Sequence, residues 1–183
     1  MTETYDELEL LPKVTPSARH ANRTLCRDIT AADREAGKTL SRVMKDSRGD
    51  ATLPNDKMVI HFRGTAGDGF GTGLGPGITF VADGIGANGC VGMNGGRALI
   101  LSIPGEGFCR GLKGGKVFVY SRGMDIPLAS GAYTIGKPAA SETAEIRSLV
   151  EEHRLLTHSK ESDAVLSDWN ESACGFVRVS AAV

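Results

Sequence analysis

The chain of 183 residues is long enough for one domain with a real core and short for two. Its charge is nearly balanced, 21 Lys plus Arg against 22 Asp plus Glu, so nothing electrostatic points to a nucleic acid or a membrane surface as partner. Glycine is the outlier: 24 residues, about 13% against a usual ~7%, with 21 of them between Gly64 and Gly136.

Residues 1–57 are expected to form an acidic tail and a capping helix. From Thr30 to Met44, the residues Ala36, Leu40, Val43 and Met44 fall on one helical face, and Thr30 with Asp33 makes a capping pair at its start. The stretch Ser47 to Asp56, rich in Gly, Pro, Asp and Asn, has the composition of a connector.

Residues 58–136 are governed by a repeat. Gly67, Gly86 and Gly105 are each 19 residues apart, as are Gly73, Gly92 and Gly111, and Gly77, Gly96 and Gly115. Leu74, Met93 and Leu112 recur between the last two columns, and the β-rich segments ITFVA, RALIL and KVFVY follow them. A unit of this length with one short strand is too small for a helix pair or a propeller blade. It suits a parallel β-helix whose coils stack at the strand spacing of ~4.8 Å, with glycines at the corners. About three to four coils are expected, LASGAYTI forming a partial fourth.

Ladders follow from equal spacing. Leu74/Met93/Leu112 and Val81/Ile100/Val119 are expected to point inward. Strand alternation then sends Phe80, Leu99 and Phe118 outward, beside Ile78, Arg97 and Lys116. An external apolar ladder must be covered, either by the chain's own terminal helices or by a partner.

Residues 137–183 return to a helical pattern. Ile146, Leu149, Val150 and His153 share a face, a second short helix after Ser159 carries Val165 and Trp169, and Gly175 to Val179 reads as a closing strand.

Few residues carry chemistry. Gly84 to Gly89 spells G-x-G-x-x-G, but dinucleotide binding needs a helix immediately afterwards, and CVGMNGGRALIL follows. Gly67 to Gly73 (GDGFGTG) resembles a phosphate loop without the Gly-Lys-Ser/Thr that completes one, so both runs are expected to be coil corners. His61, His153 and His158 have no partner at a motif spacing and are expected to be surface or partly buried residues. Cys90 and Cys109 occupy equivalent coil positions and are expected to lie close, as reduced thiols. Arg97 over Lys116 makes a modest basic ladder, expected to be a solvated face.

With Cys26 and Cys174 the thiols number four, without CxxC or Cys/His spacing, so no metal or cofactor site is expected on this chain. The acidic opening Met1 to Glu9 is unlike a secretory leader, and no apolar run approaches ~18 residues. A cytoplasmic protein without catalytic residues of its own is expected.

The run His61-Phe62-Arg63-Gly64-Thr65-Ala66-Gly67, with Phe70-Gly71 and the Gly-Met/Leu-x-Gly-Gly repeats, resembles the GXGXG domain at the C-terminus of the glutamate synthase large subunit. ITAADREAGKTLSRVM resembles the family's segment before the first coil, and EIRSLVEEHRLLTHSKESDAVLSDW with FVRV resembles its closing helices and strand. The resemblance implies a right-handed β-helix acting as a scaffold. It places the chemistry elsewhere: an amidotransferase with an N-terminal cysteine, and an FMN barrel with an iron–sulfur cluster. With Thr2 after Met1, that cysteine is not expected here.

The reading that follows is a non-catalytic structural subunit of an N-methylglutamate synthase or a split glutamate synthase. It would pack an amidotransferase-like subunit against an FMN and iron–sulfur subunit. The alternative is the GXGXG subunit of another redox complex, such as formylmethanofuran dehydrogenase. The family's β-helix has more coils than this chain offers, several being absent after Gly123.

Overall fold

A computed structural model describes residues 3–13, 23–48 and 58–182. Five strands follow one another in parallel: β1 (Arg23–Asp28), β2 (Met58–Thr65), β3 (Ile78–Gly84), β4 (Asn94–Ile100) and β5 (Gly114–Tyr120). From β2 onward each is joined to the next by a glycine-rich return path, giving a β-solenoid of about three turns. The returns stack as well as the strands. Gly86 N donates to the Gly67 carbonyl at 3.4 Å and Gly105 N to the Gly86 carbonyl at 3.1 Å.

Two glycine columns have different physical reasons. A Cβ on Gly86 would lie 2.9 Å from the Gly67 carbonyl carbon, and one on Gly105 2.7 Å from that of Gly86, so stacking excludes any side chain there. Gly73, Gly92 and Gly111 have open space around them but φ of +68°, +62° and +64°, where glycine is favoured.

The sheet ends in antiparallel pairing. Strand β7 (Phe176–Ala181) lies antiparallel to β5, and β6 (Tyr133–Gly136) lies antiparallel to β7, for a sheet order of β1-β2-β3-β4-β5-β7-β6. The segment LASGAYTI is therefore divided. Leu128 continues the coil by a parallel bridge to Phe108, while Tyr133 to Ile135 pair with β7, which has taken the edge of β5.

The N-terminal region holds more than a tail and a helix, for β1 adds a parallel rung beneath β2. Helix α1 (Lys38–Arg48) starts later than the capping pair suggests. Asp33 does accept from Thr30 N at 2.7 Å and from its hydroxyl at 3.0 Å, but this closes a turn. Residues 33–37 are instead drawn onto the first corner: Gly67 N donates to Asp33 O, Glu35 N to Asp68 O and Gly71 N to Ala36 O. Gly37, at φ +96°, then packs where a Cβ would meet the Phe80 ring at 2.3 Å. Of the expected connector, only Ser47 and Arg48 lie within the described residues, in the last turn of α1.

The ladders are shifted in one strand. Strand β4 pairs with β5 at an offset of 19, Leu99 beside Phe118, but β3 pairs with β4 at an offset of 18, Phe80 beside Ala98 and Val81 beside Leu99. A slip of one residue exchanges the two faces of a strand. Ile78 and Phe80 therefore point inward, where Phe80 meets Phe62 at 4.9 Å and Phe70 at 5.3 Å between ring centroids. Val81 joins Leu99 and Phe118 outside. The inner ladder is Ala82, Ile100 and Val119; Leu74, Met93 and Leu112 are buried in the same core.

Helices α2 (Ala140–Thr157) and α3 (Lys160–Ser167) cover the outer face. Ile146, Leu149, Val150 and Val165 pack on Val59, Val81, Leu99 and Phe118. Ser159 caps α3, accepting from Ser162 N at 3.0 Å. Trp169 does not share that helix: the chain breaks at Asp168 (φ −140°) and Trp169 opens a short turn, α4 (Trp169–Ser172). Among the described residues no helix is long and apolar enough to cross a membrane.

Candidate functional site

The outer face of the sheet alternates apolar and polar residues, and the polar ones meet α2. In β2 the outward positions include Val59 and His61; in β3 they include Val81 and Asp83. The apolar stripe of α2 carries His153 one turn beyond Leu149 and Val150. Packing the stripe on the sheet thus brings two histidines together, both fully buried.

Their rings lie 5.2 Å apart between centroids and meet through Nδ1 to Nδ1 at 3.0 Å. His61 Nε2 contacts Glu152 Oε1 at 2.6 Å, and His153 Nε2 contacts Asp83 Oδ1 at 3.0 Å. Asp83 Oδ1 also accepts the Ser159 hydroxyl, and Thr157 donates to the His153 carbonyl at 2.6 Å. Burial pushes His61 down to about 4, although the hydrogen bond to Glu152 works against it. With both rings sealed under α2, the arrangement can hold or relay protons but offers no reacting atom to a substrate.

The sequence expectation of surface or partly buried histidines is thus corrected for His61 and His153; His158 is exposed, capping α2 in the left-handed region at φ 54°. The pair is 92 residues apart, beyond any motif. One signal was present in the sequence, His153 on the apolar face of α2.

A second polar seam runs along the same helix. Arg97 reaches Glu145 at 2.7 Å, and Glu142 receives Lys116 at 2.5 Å and Arg178 at 3.2 Å. Arg97 and Lys116 therefore do not form a solvated basic face; Arg97 is buried, and both cations bind carboxylates of α2. An open cleft of about 880 Å³ lies along this seam, lined by these five residues, Ser141 and Ser148 among others.

The glycine motifs are coil corners. At Gly84 to Gly89 three successive amides are engaged within the fold: Gly86 N by Gly67 O, Ala87 N by Asp68 Oδ1 and Asn88 N by Glu106 O. The next element is strand β4, so no helix N-terminus stands there to meet a pyrophosphate. In Gly67 to Gly73 the amides of Gly69, Gly71 and Gly73 bond to Ala87, Ala36 and Val91 carbonyls. Cys90 and Cys109 are free, buried and both at positive φ (56° and 61°). A hydrogen bond with Cys90, then burial, pushes the Cys109 thiol far above its ordinary range. Among the described residues no cluster of three or more His, Cys, Asp or Glu is placed to hold a metal ion.

Comparison with known proteins matches this architecture. A family model described as the GXGXG motif covers residues 76–182. The glutamate synthase (NADH) of Schizosaccharomyces pombe is 25% identical over 224 aligned residues, which take in 83% of this chain and 11% of that protein. The glutamate synthase (NADPH) large chain of Bacillus subtilis is 26% identical over 165, taking in 78% and 11%. The glutamate synthase (NADH) of Saccharomyces cerevisiae reaches 40% over 76 residues, 42% of this chain and 4% of its own length. The chain thus spans only about a tenth of the length of the first two relatives.

Proposed function

This chain belongs to the GXGXG-motif family, and from that we propose that it is the β-solenoid structural subunit of a glutamate-synthase-like complex. In this reading it packs an amidotransferase-like subunit against a subunit carrying FMN and an iron–sulfur cluster, in the cytoplasm. The observation that carries the proposal is the extent of the likeness. Alignment with the Bacillus and Schizosaccharomyces proteins takes in 78% and 83% of the chain, and the family match runs through α2, α3 and β7 as well as the glycine repeats. A bare glycine solenoid would match over the coils alone.

The arrangement suits a spacer. Stacked corners and a sealed sheet give a stiff body, and the charged residues of the α2 seam are spent on holding that helix in place. Within the proposal the complex is either an N-methylglutamate synthase, with methylamine supplying the nitrogen, or a split glutamate synthase, with ammonia supplying it.

The test is purification of the complex through a tag on this chain. The expected result is a defined assembly containing flavin, iron–sulfur absorbance and an amidotransferase-like chain, with none of the flavin on this subunit after dissociation. Incorporation of labelled methylamine against labelled ammonia then distinguishes the two substrates. Flavin bound to this chain alone, or glutaminase activity from it alone, would overturn the structural role.

A further inference from the structure

We propose that His61 and His153 form a buried proton-binding site, with three ring protons between them and hence one imidazolium charge, and that this proton fastens α2 to the solenoid. The count comes from geometry. Four groups stand in line with three contacts: Asp83 Oδ1 to His153 Nε2 at 3.0 Å, His153 Nδ1 to His61 Nδ1 at 3.0 Å, and His61 Nε2 to Glu152 Oε1 at 2.6 Å. Each is at hydrogen-bond length and needs its own proton, because otherwise two lone pairs face each other. Two neutral imidazoles bring two protons. The third must sit on a carboxyl group or on a ring.

Neither carboxyl group is a good seat. Asp83 Oδ1 already accepts the Ser159 hydroxyl and meets His153 Nε2, two contacts that both draw on its lone pairs. The Glu152 side chain is 43% exposed, so water solvates its charge. The imidazole pair remains, an imidazolium donating through Nδ1 to a neutral ring, with a carboxylate at each end to compensate the charge. Burial drives His61 toward its neutral form.

The other charged and titratable neighbours are engaged elsewhere. From β1, Cys26 stands beside His61 in register and donates to the Leu156 carbonyl at 3.5 Å. From β2, Arg63 turns to Asp28 at 3.1 Å; from β4, Arg97 turns to Glu145. On α2, Arg154 lies 4.0 Å from Asp163, and after it Glu161 accepts from Ser159 at 3.4 Å. The site is thus closed by two strands, one helix and the turn after it. Its ligand is a proton, and holding it ties α2 to β2 and β3 at once.

The consequence is proton uptake on folding. Histidines of the unfolded chain titrate near ~6.5, so from about one pH unit above that they carry almost no charge, while the folded pair keeps one proton. More protons on the folded form means that stability falls as pH rises, by about tenfold in the folding equilibrium constant per pH unit until the site empties.

Two measurements on the full chain decide the matter. Nitrogen-15 NMR of labelled histidine at pH 7.5 is expected to show one ring with both nitrogens protonated and one neutral ring. Urea unfolding between pH 7.5 and 8.5 is expected to show the roughly tenfold loss per unit in the natural chain and not in His153→Gln or His61→Gln. Two neutral rings at pH 7.5, or a flat stability profile over that range, would overturn the proposal. Should either variant fail to fold, the ring-proton count in the natural chain still separates one imidazolium from two neutral rings.

Discussion

Asp6 and Gly37 are joined across 31 residues by a 2.7 Å hydrogen bond, the glycine amide donating to Oδ1, while Oδ2 accepts the Leu40 amide at 2.9 Å. Helix α1 begins at Lys38, so its first free amides are satisfied by a carboxylate from a distant segment. The same contact sets Gly37 against the Phe80 ring and so anchors the N-terminal region to the solenoid core.

Asp6→Ala is expected to strip that cap and leave two amides unpaired, lowering stability by about 1–2 kcal/mol. Urea unfolding reads the loss; an unchanged midpoint would show that the contact is incidental. Burial raises the Asp6 carboxyl above its ordinary value, the amides of Gly37, Leu40 and Thr39 opposing it without winning. A raised carboxyl favours the folded form at low pH, so the Asp6 contribution shrinks as pH climbs through the folded value.

Glu142 clamps the start of α2 to the last two strands, receiving Lys116 of β5, Arg178 of β7 and the backbone amide of Ala139 at 2.8 Å. Burial alone would raise its carboxyl, but Lys116, the Ala139 amide and Arg178 together hold it below the usual carboxylate range. A lowered carboxyl contributes stability above its unfolded value of about 4.3, lost as pH falls through the folded one. Glu142→Gln is expected to cost about 1–3 kcal/mol near neutral pH and to flatten the acid limb below pH 4. The Lys116 side chain is 48% exposed, which places its share at the low end. Thermal melts at pH 7 and pH 3.5 check both parts, and equal losses at the two pH values would refute the electrostatic account.

The glycine columns made the solenoid legible because close stacking and left-handed backbone both demand glycine at a fixed spacing, as at Gly86 and Gly73. The faces of β3 were not legible, because the pairing of Phe80 with Ala98 depends on slack taken up in the turns, which leaves no mark on the column spacing. Strand β1 was hidden for a related reason: Arg23 to Asp28 alternates weakly, and what makes it a strand is the β2 edge beside it. The helices over the outer face were readable from Ile146, Leu149 and Val150. The histidine pair was not, since neither ring has a partner nearby in sequence, and only α2 docking on β2 and β3 creates the contact.

On the acid side His61 should dominate the pair. Its folded value of about 4 lies below the ordinary ~6.5, so the unfolded chain takes up a proton there that the folded form refuses. That contribution is complete above pH 6.5 and is lost as pH falls from there toward 4. The expected result is a fall of up to about tenfold in the folding equilibrium constant per pH unit across that window, absent in His61→Gln. A difference between the two proteins that does not change between pH 6.5 and 4.5 would contradict it.

Thiol accessibility offers a check on the stacking itself. Cys174 is exposed and Cys26 half-buried at the margin of α2, whereas Cys90 and Cys109 lie buried in successive coils. The hydrogen bond with Cys90 and the burial that raise the Cys109 thiol both suppress the reactive thiolate. Alkylation followed by mass spectrometry is expected to modify Cys174 first, Cys26 more slowly, and Cys90 with Cys109 only under conditions that open the solenoid. Because the two buried thiols share one neighbourhood, they should become reactive together at a single urea concentration. Early labelling of Cys109 alone would mean that the last coil separates from the one before it, and that the solenoid unravels from that end.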